Sequence, residues 1–293
     1  MEIRRGTRAI RKHRRKIKIY CMQLLFLSAL IAQGEFQIRT LPSNAKMVAN
    51  HNGFSAYIDI EKANKSYNIN FIQYPADINF QSFKYNNMSI SILNYGEFTD
   101  QIDDEVFYKF NAYELDFTYY YKKKILKKFL VSGSGSFVYS KIDYYNSYGL
   151  AANVKLTTTL NNLNMSFGLN NLGIILDSYS LRDNSFPLNY QFGILYTLSN
   201  TATQFGFDIL YHTKIKLHEY IYGLNFSLGK FIAIRLSSNN LKEQLLIGNY
   251  RKDWFYGLNY GISFNTKQIN TDIGVSSLGP AGFVYAISVS LKY

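Results

Sequence analysis

Alternation of apolar and polar residues dominates the chain. From Ala281 to Tyr293 the odd positions read Ala281, Phe283, Tyr285, Ile287, Val289, Leu291 and Tyr293. The even positions are mostly small or polar: Gly282, Val284, Ala286, Ser288, Ser290 and Lys292. Successive side chains of a strand point to opposite faces, so this spelling predicts a strand with one apolar face. The same pattern recurs at Trp254, Tyr256, Leu258, Tyr260, Ile262 and Phe264, at Tyr220 to Leu228, at Tyr190 to Leu198, at Phe205 to Tyr211, at Leu163 to Leu169 and at Leu115 to Tyr121. No stretch shows a comparable helical period.

The opposite faces carry Asp116, Lys155, Asp208, Arg235 and Asp272 among many Gly, Ser and Asn residues. Charges of both signs in mid-strand suit the wet interior of a barrel, where they can pair. A β-sandwich would place the same row in solvent. The barrel is favoured because Tyr and Phe collect at the ends of the apolar rows, as in Trp254-Phe255-Tyr256 and Tyr119-Tyr120-Tyr121, where a membrane interface wants them. The fold expected is all-β: a closed antiparallel transmembrane barrel of about 14 strands over residues 77–293. Residues 35–76, with Leu41-Pro42-Ser43 and weaker alternation, are expected to form an N-terminal hatch.

Turn signals fall at Asn86-Asn87, Asn161-Asn162, Ser199-Asn200, Ser238-Asn239-Asn240 and Leu278-Gly279-Pro280. Longer polar gaps at Asp100 to Asn111, Asp143 to Ser147 and Asp177 to Leu188 read as surface loops. Lys122-Lys123-Lys124 and Lys127-Lys128 read as a basic turn that could meet lipid phosphates.

Residues 1–34 have the layout of a secretory signal peptide. Nine basic residues between Arg4 and Lys18 precede an apolar stretch, Ile19 to Ala32, too short to span a bilayer as a helix. Cleavage is expected after Gly34, with Ala32 as the alternative, and Met22 is an alternative start. Without this segment 23 basic residues face 19 acidic ones, so the net charge falls from +12 to +4. The basic excess is mostly a targeting feature, which argues against a nucleic-acid partner. Cys21, the only cysteine, leaves with the signal, so the mature chain has no disulfide and no thiolate metal site.

The spellings of several chemistries are missing from the chain. His51, His212 and His218 have no ligand spacing that defines a metal site. Gly133-Ser134-Gly135-Ser136 lacks the lysine and helix of a phosphate loop and the spelling of a nucleophile elbow. Asp100, Asp103, Asp104 and Glu105 lack the ligand spacing and sharp-turn glycine of an EF-hand-like calcium loop. No catalytic residue, cofactor-binding residue, metal ligand or cofactor is assigned, and no enzyme activity is expected.

Leu41-Pro42-Ser43-Asn44-Ala45, Tyr74-Pro75-Ala76, Tyr95-Gly96-Glu97-Phe98 with Asp104-Glu105, Tyr139-Ser140-Lys141-Ile142 and Asn170-Asn171-Leu172-Gly173 follow one another in a familiar order. In this the chain resembles the PorV/PorQ family of outer-membrane proteins. The balance leans to the PorQ type through Phe110-Asn111-Ala112-Tyr113-Glu114, Tyr144 to Ala151 and Phe186-Pro187-Leu188 with Gln191 and Gly193. Met47-Val48-Ala49-Asn50 stands where that family carries a Gly-rich stretch, and Tyr74-Pro75-Ala76 replaces its Asn-Pro-Ala. The resemblance implies a 14-stranded barrel related to the fatty-acid transporter FadL, in the outer membrane of a Gram-negative cell, serving type IX secretion without chemistry of its own. Its partners would be outer-membrane lipids and other components of that system, PorZ-, PorU- or PorV-like proteins. The barrel-assembly machinery would read the terminal strand ending at Tyr293. A FadL-like channel for hydrophobic small molecules is the alternative.

Overall fold

The computed structural model describes residues 36–55, 66–102, 105–125, 128–179, 185–199, 201–245, 248 and 254–292, with the backbone alone at 100–102 and 105–107. The signal segment, Asp103, Asp104 and Tyr293 lie outside the described residues.

Fourteen antiparallel strands close into one barrel. In chain order they are β1 (Ser66–Gln73), β2 (Asn79–Tyr85), β3 (Met88–Ile102), β4 (Glu105–Ile125), β5 (Phe129–Ile142), β6 (Tyr145–Leu160), β7 (Leu163–Asp177), β8 (Asn189–Thr197), β9 (Thr203–His212), β10 (Leu217–Leu228), β11 (Ile232–Asn239), β12 (Leu258–Asn265), β13 (Ile269–Ser277) and β14 (Phe283–Lys292). Each strand pairs with its neighbours in sequence, and β1 closes the ring on β14 through Ser66↔Lys292 to Gln73↔Tyr285. Closure gives each strand of the ring a neighbour on both sides, which a hydrocarbon surround demands because no water is there to take unpaired amides.

The outward face carries the apolar rows. Phe71, Ile90, Phe117, Leu156, Phe167, Phe207, Phe226, Ile273 and Ile287 are all exposed, while Val138, Asp116, Asp208, Ser263 and Ser288 on the opposite face are buried. A soluble protein would invert that arrangement, so the exposed belt is the lipid-facing surface of a transmembrane barrel. Ile287→Arg, in mid-belt, is expected to cost about 2–4 kcal/mol of barrel stability, read from urea unfolding in vesicles. Ser290→Arg, on the inward row of the same strand, should change it little.

Several boundaries differ from the sequence reading. The barrel begins at Ser66, so β1 belongs to the wall although it falls inside the 35–76 span. Of the span from Asp100 to Asn111, Asp100 to Ile102 continue β3 and Glu105 to Asn111 belong to β4, paired with one another rather than forming a loop, their acidic composition hiding the alternation. Lys122 to Lys124 continue β4 opposite Leu130 to Ser132 rather than turning. Trp254 to Gly257 precede β12 as a turn, broken by Gly257 at φ 67°, and β14 starts at Phe283 after Gly282 at φ 114°. Both angles lie where residues with a Cβ are strained.

The two barrel ends differ. One has short turns, such as Asn86-Asn87 and Asn161-Asn162, and also holds the end of β14. The other has the longer connections 178–188 and 240–257. In outer-membrane barrels short turns face the periplasm and long loops the exterior.

Candidate functional site: the inner segment and its anchors

The alternation that builds the wall also sends a set of carboxylates inward. Residues 36–55 occupy the space they enclose, and the resulting interface is the most elaborate polar arrangement among the described residues.

The segment opens with a 3₁₀ turn at Gln37–Arg39. Its two leading amides are spent on one buried side chain of β4: Gln37 N and Ile38 N donate to the Glu114 carboxylate at 3.1 and 2.7 Å. Tyr95 adds its hydroxyl to Glu114 at 2.7 Å. Arg39 then reaches Asp116 with Nη1 at 2.7 Å, both side chains being over nine-tenths buried. The same nitrogen donates to Ser136 Oγ at 2.8 Å, and Nε donates to Asn171 Oδ1 at 3.3 Å. A buried ion pair survives only when its remaining hydrogen-bonding capacity is met, and here neighbouring strands meet it.

A five-residue helix follows, α1 (Ala45–Ala49), capped by Asn44 Oδ1 accepting from Met47 N at 2.9 Å. Ala45 N donates to Ser288 Oγ at 2.9 Å, and Ser237 Oγ donates to Ala49 O at 2.8 Å. Lys46 lies 3.7 Å from Asp272, which Arg235 also approaches at 3.6 Å. Glycines let the helix lie against the wall. A Cβ at Gly274 would stand 2.3 Å from Ala45 O, and one at Gly261 would stand 2.5 Å from Ala49 Cβ.

His51, Asn52 and Phe54 all have positive φ, near 51°, 58° and 59°, an unfavourable conformation for residues with a Cβ. The wall holds this turn. His51 Nε2 lies 2.9 Å from Glu219, which is shared with His212 Nε2 at 3.2 Å and accepts from Asn239 Nδ2 at 2.5 Å. Gln191 Nε2 donates to Asn52 O at 3.3 Å. Asp208, fully buried on β9, accepts from the amides of Phe54 and Ser55 and from the Ser55 hydroxyl. Lys155 Nζ donates to Ser55 O at 3.1 Å.

An apolar cluster lies toward the long-loop end. Phe36 stacks on Phe186 of the β7–β8 connection with ring centroids 5.1 Å apart, and Phe186 rests over Gly149 and Gly173. Ile38, Val48, Ile72, Phe80, Leu93 and Val284 complete the packing. Tyr74, in the β1–β2 connection, donates to Pro42 O at 3.3 Å, and its burial pushes the phenol above its ordinary range. Below lie two cavities. One of about 500 Å³ is lined by Arg39, Asp116, Lys155 and Gln191. A vestibule of about 1350 Å³ opens at the short-turn end, lined by Asn68, Asn70, Ser82, Asn87, Ser89, Lys122 and Lys292, with Lys46 and Met47 above it.

Asp116, Lys155, Asp208, Arg235 and Asp272 all face inward, and the structure joins each to the inner segment or to a neighbouring charge. Glu114 and Glu219, anchors of equal weight, were not singled out from sequence, although their alternation parity was the available signal. His51 and His212 meet at one carboxylate, while His218 packs against Tyr211 with ring centroids 4.7 Å apart. Among the described residues no group of three or more His, Cys, Asp and Glu is placed to hold a metal ion.

Fold and belt together define a transmembrane β-barrel of the outer-membrane type whose lumen holds a segment of its own chain. No protein-family model matches the chain, and no curated protein matches it in sequence. Among solved structures, the CymD monoaromatic hydrocarbon channel aligns with a TM-score of 0.51 at 9% identity, covering 86% of this chain and 95% of that one. Omp33 of Acinetobacter baumannii gives 0.44 at 9% identity over 78% and 98%, and the KdgM porin 0.37 at 10% over 78% and 99%. At such identities the CymD likeness is one of fold, and the two weaker superpositions carry no argument.

Proposed function

We propose that this protein is a non-enzymatic outer-membrane barrel that holds a partner protein at the cell surface, as a PorQ-like component of the type IX secretion system. The observation that carries the reading is how the lumen is used. Glu114, Asp116, Asp208, Glu219 and Asp272 are committed to residues 37–55 or to neighbouring side chains of the wall, and an apolar cluster fills the long-loop half. A passage selective for solutes needs interior groups left for the solute. A barrel that binds through its rim does not. The ordered motifs from Leu41 to Gly193 supply the secretion context by resemblance.

Co-purification from detergent-solubilised outer membrane tests it: PorZ-, PorU- or PorV-like proteins should accompany the barrel. A deletion strain should release cargo or leave it unprocessed. Normal cargo attachment in that strain would refute the proposal.

A gated channel is the second reading, favoured by the vestibule of about 1350 Å³ and the CymD fold likeness. The vestibule lining of Asn, Ser and Lys suits polar solutes better than the hydrophobic ones expected of a FadL-like channel. Solute-dependent swelling of liposomes carrying the intact chain would establish it.

A further inference from the structure

We infer that the vestibule at the short-turn end is a binding site for a small, hydrophilic, multiply charged oxyanion, a phosphate ester or a polycarboxylate, entering from the periplasmic side. The inference goes beyond the anchoring reading and stands independently of it.

The vestibule is built on one arc of the wall. Strands β14, β1, β2, β3 and β4 are consecutive neighbours in the ring, with β13 flanking them. Their inward rows are polar: Ser290 on β14 pairs with Asn68 on β1, Asn68 with Lys84 on β2, and Lys84 with Ser89 on β3. One step deeper, Asn70 lies between Ser288 and Ser82 and donates to Ser82 Oγ at 2.8 Å. Lys122 and Lys292 stand nearer the mouth, and Lys46 and Met47 of α1 form the roof.

Charge gives this cavity a sign. Its described lining holds four lysines, Lys46, Lys84, Lys122 and Lys292, and one carboxylate, Asp272. Asp272 is buried at the roof, 3.7 Å from Lys46 and 3.6 Å from Arg235, and accepts from Ser263 Oγ. Its charge is met locally, so the lining as a whole keeps a positive excess. The mouth adds to that excess. The connections at this end, 86–87, 126–128, 161–162, 198–202, 229–231 and 266–268, contain lysines and no Asp or Glu, whereas those at the other end carry Asp77, Asp143 and Glu243. A cleft of one sign with low-dielectric walls focuses its field and concentrates counter-ions, and here the wall is surrounded by hydrocarbon. Rings of basic side chains select anions in pores by the same physics.

The remaining lining sets the rest of the ligand. Asn68, Asn70, Ser82 and Ser89 supply donors and acceptors for a hydroxylated body. The Tyr120 ring is covered by Lys84 Nζ, 4.2 Å from its centroid, and so presents charge rather than an apolar face. Lysine is a compact point charge without the planar fork of arginine, and it takes phosphate and carboxylate alike. Continuous ladders from β13 round to β4 separate the site from the bilayer, so the anion comes from water rather than from lipid.

The test is isothermal titration of the full chain in a non-ionic detergent at roughly 50 mM salt. Glucose 6-phosphate and citrate are separate probes, with glucose as the neutral control. At least one anion should bind about tenfold or more tightly than glucose, and raising the salt to roughly 500 mM should weaken it. The tighter of the two identifies the ligand as phosphate ester or polycarboxylate. K84Q/K122Q/K292Q should lose about tenfold or more of that affinity, whereas K123Q/K230Q, which removes lysines at the same end but outside the lining, should keep it. Equal binding of the anions and glucose, or an equal loss in both variants, would overturn the inference. The contrast between anion and glucose is read on the parent chain, so it decides the matter even if the triple variant does not fold. Absence of anion binding would overturn the vestibule site and leave the anchoring reading, tested by co-purification, standing.

Discussion

Asp116→Ala is expected to release the start of the inner segment while leaving the wall closed. Arg39 would keep its charge, more than nine-tenths buried, with only Ser136 and Asn171 as partners. Removing one member of a buried pair typically costs about 3–5 kcal/mol, because the survivor is left uncompensated. The barrel is held by ladders right round the ring, so the loss falls on local opening of residues 36–44 rather than on global unfolding. Trypsin cleavage after Arg39 should accelerate by about two orders of magnitude or more in the reconstituted barrel. The double variant R39M/D116L removes both charges together and should return cleavage close to the parental rate. Slow cleavage in the single variant would show that Glu114 and the apolar cluster hold the turn without the ion pair.

Gly274→Val should have the second large effect, through space rather than charge. A Cβ there would meet Ala45 O at 2.3 Å, and the obstacle is backbone that cannot swing aside. Valine suits a strand, so β13 should keep its pairing with β12 and β14 and the helix should yield instead. Displacing α1 breaks the Ala45 N to Ser288 and Ala49 O to Ser237 hydrogen bonds and uncovers the vestibule from above. The measurement is single-channel conductance in planar bilayers: large, stable open events for Gly274→Val where the parent is closed. Gly135→Val is the control, because a Cβ there meets nothing within 4 Å. Equal conductance of parent and Gly274→Val would mean that α1 does not close the lumen.

Much of the wall was legible in the sequence because its signal is local. Every second residue of β10 or β14 reports which face it occupies, and the inward charges Asp116, Asp208, Arg235 and Asp272 followed from the same period of two. The errors came where another property masked that period. In β3 and β4, acidic residues imitate a loop, and the bulge at Tyr95-Gly96 resets the alternation midway. Trp254 and Tyr256 continue an apolar spacing into a turn. β1, in the 35–76 span, reads as hatch because Glu61, Lys62 and Lys65 before it and Asn68 and Asn70 within it dilute its apolar row of Tyr67, Ile69 and Phe71.

The functional interface was less legible. Arg39 and Asp116 stand 77 residues apart, Ala45 and Ser288 stand 243 apart, and no spacing rule links such positions. Asp208 serves two backbone amides, a demand invisible in the residue types of Phe54 and Ser55. Glycines 261 and 274 read as ordinary strand glycines until α1 is seen resting on them.

By itself, then, the sequence determined that the chain is a succession of strands with a lipid and a lumenal face, since both follow from side chains alternating along an extended backbone, whereas the ring closes only with β1, which its own spelling did not mark as wall. Only the tertiary structure decided that the buried carboxylates hold residues 36–55 rather than line an open pore. That outcome depends on long-range pairing of amides, an arginine and a histidine with acceptors on separate strands. Those contacts exist only once the ring has closed around them.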